Sequence, residues 1–379
     1  MSKKIKAAVL KGAKKIEIMK FDKPEAKKDG ILIRTEICGV CGTDIHIYEG
    51  RMTVPYPIIP GHEFLGKIEE IGEIARTLEV KGLTLTEGDL ITVVPGTNLF
   101  CGKCYYCRFV PHKPNLCTNR RAYGVTMSCK EPPHLFGGWS EYVYIDPVHF
   151  WVYKLPDDMP PEVAVLIEPM AVASRALERA FEPGLPSARE GFSPGRSIAI
   201  QGAGPIGLLV IASAKIAGAG KIIAIDMADE RLKMAQKLGA DHTINLKEMD
   251  KPEERIEMVK KLTHGLGADV VFECAGVPTA FPEGIEMTRD GGRYVEVGHY
   301  VDSGGVEIHP HRICRKDIDV LGSWVYPPTQ FETVINLLHL YFDRIPFKEL
   351  VTHKFKIEEA EKAIMTLKKH EGLKVTIKP

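Results

Sequence analysis

The 379-residue sequence lacks an excess of charge of either sign, with 50 basic side chains against 50 acidic ones. That removes the global field on which non-specific binding to nucleic acid or to an anionic membrane depends. It also lacks any run near the roughly 18 apolar residues that a bilayer span needs. The basic opening stretch, 1–11, holds too short an apolar segment for a secretory signal, so cytoplasmic residence is expected. Internal repeats and low-complexity tracts are missing as well, which excludes solenoids and fibrous arrays. A disulfide framework is the last absence. The nine cysteines are odd in number, and four of them crowd between Cys101 and Cys117. In a reducing compartment such clustering points to metal.

What is present is the composition of an ordinary globular protein, 44% hydrophobic and 26% charged. At roughly 150 residues per domain the length predicts two or three domains. The first half reads as short strands and turns, with a mostly alternating run at 31–38 and a compact apolar strand at 90–94. Pro55, Pro57 and Pro60 force an extended, turn-rich path toward Gly61-His62-Glu63, which places His62 and Glu63 in a loop at a cleft. Pro160-Pro161 opens a helical pattern over 162–181. An irregular connector rich in proline and glycine follows, from Pro183 and Pro186 to Pro194. Then strands are predicted at 197–201, 221–226, 270–273, 294–297 and 319–323, with helices at 208–217 and 229–238 between the first of them. This alternation predicts an α/β fold with a doubly wound parallel sheet. A helix at 329–342 and a short α/β tail complete the chain.

Gly202-Ala203-Gly204-Pro205-Ile206-Gly207 matches the spacing G-x-G-x-x-G, follows an apolar strand and opens a helix. Gly202 permits the tight turn, Gly204 lets backbone approach a pyrophosphate, and Gly207 allows close packing of helix on strand. Pro205 and Ile206 start the helix whose N-terminus faces phosphate charge. Asp226 lies at the end of the next strand, 19 residues after Gly207. There it would accept hydrogen bonds from adenosine ribose and repel a 2′-phosphate, and Met227 supplies no cation to reverse that preference. NAD is therefore expected over NADP. Arg231 has two readings, over the adenine or as a helix surface charge.

Cys101-x2-Cys104-x2-Cys107-x9-Cys117 sets four thiols in 17 residues. Four thiolates suit a closed tetrahedral zinc site that cross-links a lobe, with an iron–sulfur cluster as the chemical rival. A second group is dispersed: Cys41-Gly42-Thr43-Asp44-Ile45-His46, then Gly61-His62-Glu63. Cys41, His62 and Glu63 would supply sulfur, nitrogen and oxygen to a catalytic zinc with an open position.

These four motifs, in the chain order 41–46, 61–63, 101–117 and 202–207, with Gly137-Gly138-Trp139-Ser140-Glu141-Tyr142 before the mid-chain helix, resemble the zinc-dependent medium-chain alcohol dehydrogenases. The likeness runs over essentially the whole chain, and Glu168-Pro169 with Gly-His-Glu is most similar to the polyol and threonine dehydrogenase branch. The resemblance implies a Rossmann domain at 169–324 and a discontinuous, mostly β, GroES-like catalytic domain at 1–168 and 325–379. It implies Cys41 and His62 as ligands of a catalytic zinc, Glu63 or Glu168 as the remaining one, and Asp44 orienting a ligand imidazole. With the lobe at 101–117 that makes two zinc ions per chain. Thr43 and His46 would carry the alcohol proton toward solvent while hydride passes from a secondary alcohol to NAD. Assembly into a dimer or tetramer is expected, without nucleic acid or membrane as partner.

The sequence departs from the family pattern in three places. The thiol lobe has two extra residues before Cys117, and the stretches 77–87 and 183–194 are long. Cys38 forms C-x-x-C with Cys41 but reads as a small core residue, and burial is expected for Cys129, Cys274 and Cys314. Tyr48, His134, Trp139 and Trp324 are candidates for the substrate pocket, each with a structural reading beside it. Two rival functions keep some of these motifs. One is an isomerase or lyase using bound NAD transiently; the other is a binding module in which 101–117 is a recognition knuckle. A zinc-free quinone reductase is disfavoured by Cys41, His62 and Glu63.

Overall fold

A computed structural model describes residues 4–96, 101–181 and 191–379. The backbone divides into two units: Met1–Glu168 with Pro327–Phe342 and Phe347–Pro379, and Pro169–Tyr326 with Asp343–Pro346.

The first unit opens with strands β1 (Lys4–Gly12) and β2 (Lys15–Asp22), an antiparallel hairpin that the lysine-rich sequence does not announce. Then come β3 (Ile31–Val40), α1 (Gly42–Tyr48), β4 (Glu63–Ile71), β5 (Leu90–Val93), α2 (Tyr105–Phe109), β6 (Tyr142–Ile145), β7 (Val152–Lys154), α3 (Pro161–Ala164) and α4 (Ile167–Ala180), the last crossing into the second unit. β3 is the hub, since it pairs antiparallel with both β4 and β6. Its almost unbroken run of buried residues is what a strand covered on both faces requires. Glu63 is not in a loop, as the prolines before it suggested. It is the first residue of β4, because the extended path imposed by those prolines runs straight into the strand.

The helix expected over 162–181 is broken at Val165 and Leu166 into α3 and α4. Residues 163–167 are all buried, and five consecutive buried side chains cannot share one face of a continuous helix.

The second unit contains β8 (Ser197–Gln201), α5 (Pro205–Ile216), β9 (Lys221–Asp226), α6 (Asp229–Leu238), β10 (His242–Asn245), α7 (Pro252–Leu262), β11 (Ala268–Glu273), α8 (Ala280–Met287), β12 (Thr288–Glu296), α9 (Pro310–Arg315) and β13 (Asp319–Gly322). The six strands are all parallel in the order β10-β9-β8-β11-β12-β13, so the order reverses beside β8. That is the doubly wound, dinucleotide-type sheet expected from the sequence. α5 starts three residues earlier than its apolar run, with Pro205 at the first helical position. β12 begins at Thr288, six residues before the strand expected at 294–297, and runs through Gly291-Gly292.

The chain then returns to the first unit through α10 (Gln330–Tyr341), β14 (Val351–Phe355), α11 (Ala360–Lys368) and β15 (Lys374–Ile377). β15 inserts between β14 and the end of β3, with Thr376 opposite Gly39 and Val375 opposite Val40. This insertion brings the last six residues of the chain to the motifs of the first sixty. Among the described residues no helix is long and apolar enough to cross a membrane.

Candidate active site

Cys41 ends the turn after β3 and stands at the N-terminus of α1, while His62 and Glu63 arrive at the start of β4. One ligand atom from each of these three residues lies within 4.8 Å of the other two. His62 and Glu63 are buried, and Cys41 is half-buried. His62 Nδ1 is buried with no hydrogen-bond partner. Burial works against charge on this imidazole, but Asp44 and the Cys41 sulfur outweigh it and hold its pKa well above the ordinary histidine value. The surroundings therefore call for positive charge beside a thiol, an imidazole and a carboxylate. That donor set fits zinc. Glu168 is not among the residues that close to within 4.8 Å, although its charge is felt by His62 and Lys374.

Asp44 is wholly buried. Its Oδ2 accepts the Cys41 N–H at 2.8 Å, its Oδ1 accepts the Gly61 N–H at 3.3 Å, and Oδ1 stands 3.8 Å from His62 Nδ1. One carboxylate thus ties the two ligand-bearing segments together. Cys38 is fully buried against Gly61 and Gly138, as the core reading required.

Sequence reasoning missed Lys374. Its side chain is 3% exposed, and Nζ forms an ion pair with Glu63 Oε2. Gly39 stands between them in the β4-β3-β15 register, and any side chain there would collide with the Glu63 carboxylate. Burial disfavours the ammonium, yet Glu63 and Cys41 more than compensate and raise its pKa. The only sequence signal is a lysine opening an apolar terminal strand.

The second thiol group also converges. Ligand atoms of Cys101, Cys104, Cys107 and Cys117 all lie within 4.8 Å of one another, with Sγ–Sγ separations of 3.8 Å for Cys101–Cys107 and 3.4 Å for Cys104–Cys107. A tetrahedron with metal–sulfur bonds of about 2.3 Å has edges of about 3.8 Å, so these thiols fit zinc without rearrangement. Backbone N–H groups of Thr118 and Cys107 bring the Cys104 thiol down to about 5. Burial and the neighbouring Cys104 sulfur push Cys107 up to about 12. The extra residues before Cys117 are absorbed by α2 and a single turn at Pro114–Leu116.

In the second unit the Gly-rich turn joins β8 to α5 within the reversal of strand order. Gly202 has φ of +89° and packs against Ala275, where a Cβ would come within 2.7 Å of backbone nitrogen. Gly204 caps α5, and Gly207 lies against the Gly202 carbonyl. Asp226 Oδ2 accepts the Ala203 N–H at 2.8 Å and Oδ1 the Ala228 N–H at 2.9 Å, so this carboxylate also braces the turn. Arg231 is not a surface charge: its side chain is 13% exposed and Nη1 lies 3.7 Å from Asp226 Oδ2. A cation thus stands beside Asp226 from one turn into α6, where the identity of Met227 gave no hint of it.

Thr43 and His46 share a face of α1, three residues apart, and Thr43 Oγ1 is 3.7 Å from Cys41 Sγ. His46 is half-buried with Nδ1 unpartnered; burial and then the Arg51 cation lower its pKa. The pocket candidates separate clearly. The Tyr48 hydroxyl donates to Glu361 at 2.5 Å, His134 Nδ1 lies 2.9 Å from the Cys129 carbonyl, and Trp139 is wholly buried. Trp324 is exposed and stacked with Tyr300. Cys129 is buried as expected and Cys274 half-buried, but Cys314 is exposed on α9, a short helix whose described residues are all partly or fully exposed. The 77–87 stretch is organised by the buried Glu79, whose carboxylate accepts the N–H groups of Lys81, Leu83 and Lys154. The connector at Pro183 and Pro186 lies outside the described residues.

Two family models match: the alcohol dehydrogenase GroES-like domain over residues 27–157 and the zinc-binding dehydrogenase over 205–339. A sorbitol dehydrogenase of Halalkalibacterium halodurans is 33% identical over 94% of each chain. The 5-exo-hydroxycamphor dehydrogenase of Pseudomonas putida is 32% identical over 96% of this chain and 95% of its own. Among solved structures, an alcohol dehydrogenase from Thermotoga maritima superposes with a TM-score of 0.89 at 32% identity, covering all of both chains. A zinc-binding dehydrogenase from Sinorhizobium meliloti bound to NADP has a TM-score of 0.83 at 27% identity, again over both whole chains.

Proposed function

We propose, from the premise that this chain belongs to the zinc-dependent medium-chain alcohol dehydrogenase family and is an NAD(P)-dependent alcohol oxidoreductase, that it oxidises a small polyol or cyclic secondary alcohol with NAD. The observation that carries this reading is the convergence of Cys41, His62 and Glu63 around an unpartnered buried imidazole nitrogen. These three residues would hold the catalytic zinc, with Glu168 as the alternative carboxylate. Zinc supplies Lewis acidity to an alcohol oxygen when bound. Cys101, Cys104, Cys107 and Cys117 would hold a second, structural zinc.

The chain's own groups do the rest. Asp44 keeps Cys41 and His62 in place, and Lys374 holds the Glu63 carboxylate through its ion pair. Thr43 would take the alcohol proton, and His46, one turn further along α1 with an unpartnered nitrogen, would deliver it toward solvent. Gly202, Gly204, Pro205, Ile206 and Gly207 bind the dinucleotide phosphates, and Asp226 with Arg231 faces its adenosine ribose. The Asp226 charge favours NAD, whereas the adjacent Arg231 could tolerate a 2′-phosphate, so both nucleotides belong in the assay.

The substrate class is supported by the sorbitol and hydroxycamphor dehydrogenases among the relatives. Relatives that are dehydrogenases give no support to the isomerase or knuckle readings. We further place the protein in the cytoplasm, where the thiol lobe stays reduced. It would work there as a dimer or tetramer, and β13, paired with a strand on one side only among the described residues, offers an edge for a second copy.

The test is nucleotide reduction against polyols, sugars, amino alcohols and cyclic secondary alcohols, with metal analysis of the same sample. Activity lost on chelation, with about two zinc ions per chain, is the expected result. A protein with no zinc would overturn it. His46→Gln tests the relay. Because His46 must be neutral to accept a proton and its pKa is lowered, the acid limb of kcat/KM should fall below pH 6.5, the ordinary histidine value. The variant should lose that limb and about 10²-fold in alcohol oxidation. An unchanged profile would remove His46 from the pathway.

A further inference from the structure

β11 and β12 run parallel, and their final residues, Glu273 and Glu296, are register partners. Paired residues on neighbouring strands project to the same face, so the sheet forces two carboxyl groups together, an arrangement that repels when both are ionised. Glu273 is wholly buried, and its Oε1 accepts the N–H groups of Ala275 and Gly276 at 2.8 and 2.7 Å. Its Oε2 accepts the Gly298 N–H at 3.2 Å. One carboxyl therefore ties the segment leaving β11 to the segment leaving β12. His299 closes the cluster, with Nδ1 at 2.8 Å from Glu296 Oε1 and 3.4 Å from Glu273 Oε2. Burial and then the hydrogen bond that protonated Glu273 donates to Glu296 push the Glu273 carboxyl up to about 7.

Beyond His299, neighbouring charges do not relieve the pair. The Tyr294 hydroxyl donates to Glu296 Oε2 at 3.4 Å, and Cys274 is a thiol whose pKa burial and the two glutamates raise. On α8, Glu283 is engaged by Arg255 and Glu286 by Arg312. Asp302 accepts the Gly304 N–H. A pocket of about 270 Å³ lined by Phe281, Glu296, His299 and Val301 gives the cluster access to solvent protons.

The location gives the cluster its meaning. In a doubly wound sheet ligands bind beyond the carboxyl ends of the strands, where the order reverses, here between β8 and β11. Ala275, held by Glu273, packs on Gly202, the first glycine of the phosphate turn. We propose that Glu296 and His299 are positioning residues for the dinucleotide: by sharing one proton with Glu273 they hold segments 274–276 and 297–299 as a rigid wall of its crevice. This rests on the reading of Gly202–Gly207 as the dinucleotide site. Loss of the shared proton sets two carboxylates against each other and loosens the wall, so nucleotide binding weakens as pH rises through neutrality.

NADH and NADPH fluorescence titrations of the zinc-loaded protein from pH 5.5 to 9 test this. For the wild type the NADH Kd is expected to rise on the order of ten-fold across neutrality, the effect of about one pKa unit of coupling. Glu296→Gln accepts the same hydrogen bond without the repulsion, so its Kd should change less than about two-fold over the same pH range, whatever its absolute value. His299→Gln removes the imidazole that lowers the Glu273 pKa, and its transition should move to higher pH. It serves also if the first variant fails to fold. Wild-type pH dependence unaltered in Glu296→Gln, or an unmoved midpoint in His299→Gln, would overturn the assignment alone. A wild type that binds neither nucleotide would overturn the dinucleotide reading and the assignment with it.

Discussion

Cys41→Ser is expected to lower kcat/KM by about 10³-fold or more while leaving the melting temperature almost unchanged. Lewis-acid activation of an alcohol oxygen is worth several kcal/mol of barrier, and each 1.36 kcal/mol is about ten-fold in rate. Serine keeps the size and the backbone N–H that donates to Asp44 Oδ2, so the turn into α1 should survive. What it removes is the sulfur, the softest donor in the Cys41–His62–Glu63 cluster. Metal content should fall by about one ion per chain. Asp44→Asn should act in the same direction but more weakly, on the order of 10–100-fold in metal affinity, because it supports ligands without being one. Cys104→Ser is the control: its metal would cross-link the lobe, so it should lower thermal stability first and rate only as folded protein is lost. Metal analysis, steady-state kinetics and thermal melts on the three variants separate these roles. Full activity in Cys41→Ser would dismiss the proposed metal centre.

The parts of this site that the sequence revealed are those whose partners are close along the chain. The four thiols of 101–117 and the turn at 202–207 are bound by local spacing, and local spacing is visible in a sequence. The α/β alternation of the second unit was legible for the same reason, since each strand and helix carries its own hydrophobic period. The hidden parts depend on register between distant strands. Glu63 and Glu168 are equivalent carboxylates in the sequence, because nothing in it states which of them converges on Cys41 and His62. Lys374 was invisible on the same ground, being 311 positions from its partner Glu63. Arg231 keeps two readings in the sequence because one turn of α6 has to be built before its guanidinium meets Asp226. Glu273 and Glu296 are ordinary strand-end acids until β11 and β12 are laid side by side. The broken helix at Val165 and the exposed Cys314 belong here too, because burial is a property of the packed unit and not of the residue type.

Lys374→Met should be the most destabilising single change in the first unit, costing about 3–5 kcal/mol. The charge of this lysine is fully buried, and removing it leaves the Glu63 carboxylate uncompensated where water cannot reach it. In a unit of this size that corresponds to a fall in melting temperature on the order of 10 °C. Methionine preserves the aliphatic stem, so the loss would report charge and not packing. The double variant Glu63→Gln with Lys374→Met should recover more than half of it, because two neutral side chains of similar volume replace the pair without leaving an orphan charge. The second consequence concerns metal. With its counter-ion gone, the Glu63 carboxylate is free to spend its charge on the ion that Cys41 and His62 would hold. Lys374→Met should then retain zinc longer against a chelator while turning over more slowly. A buried lysine 311 residues downstream would in that case set how firmly the carboxylate engages the metal. Slower chelation together with lower stability would establish that coupling. Unchanged chelation kinetics beside the same stability loss would reduce Lys374 to a structural counter-ion.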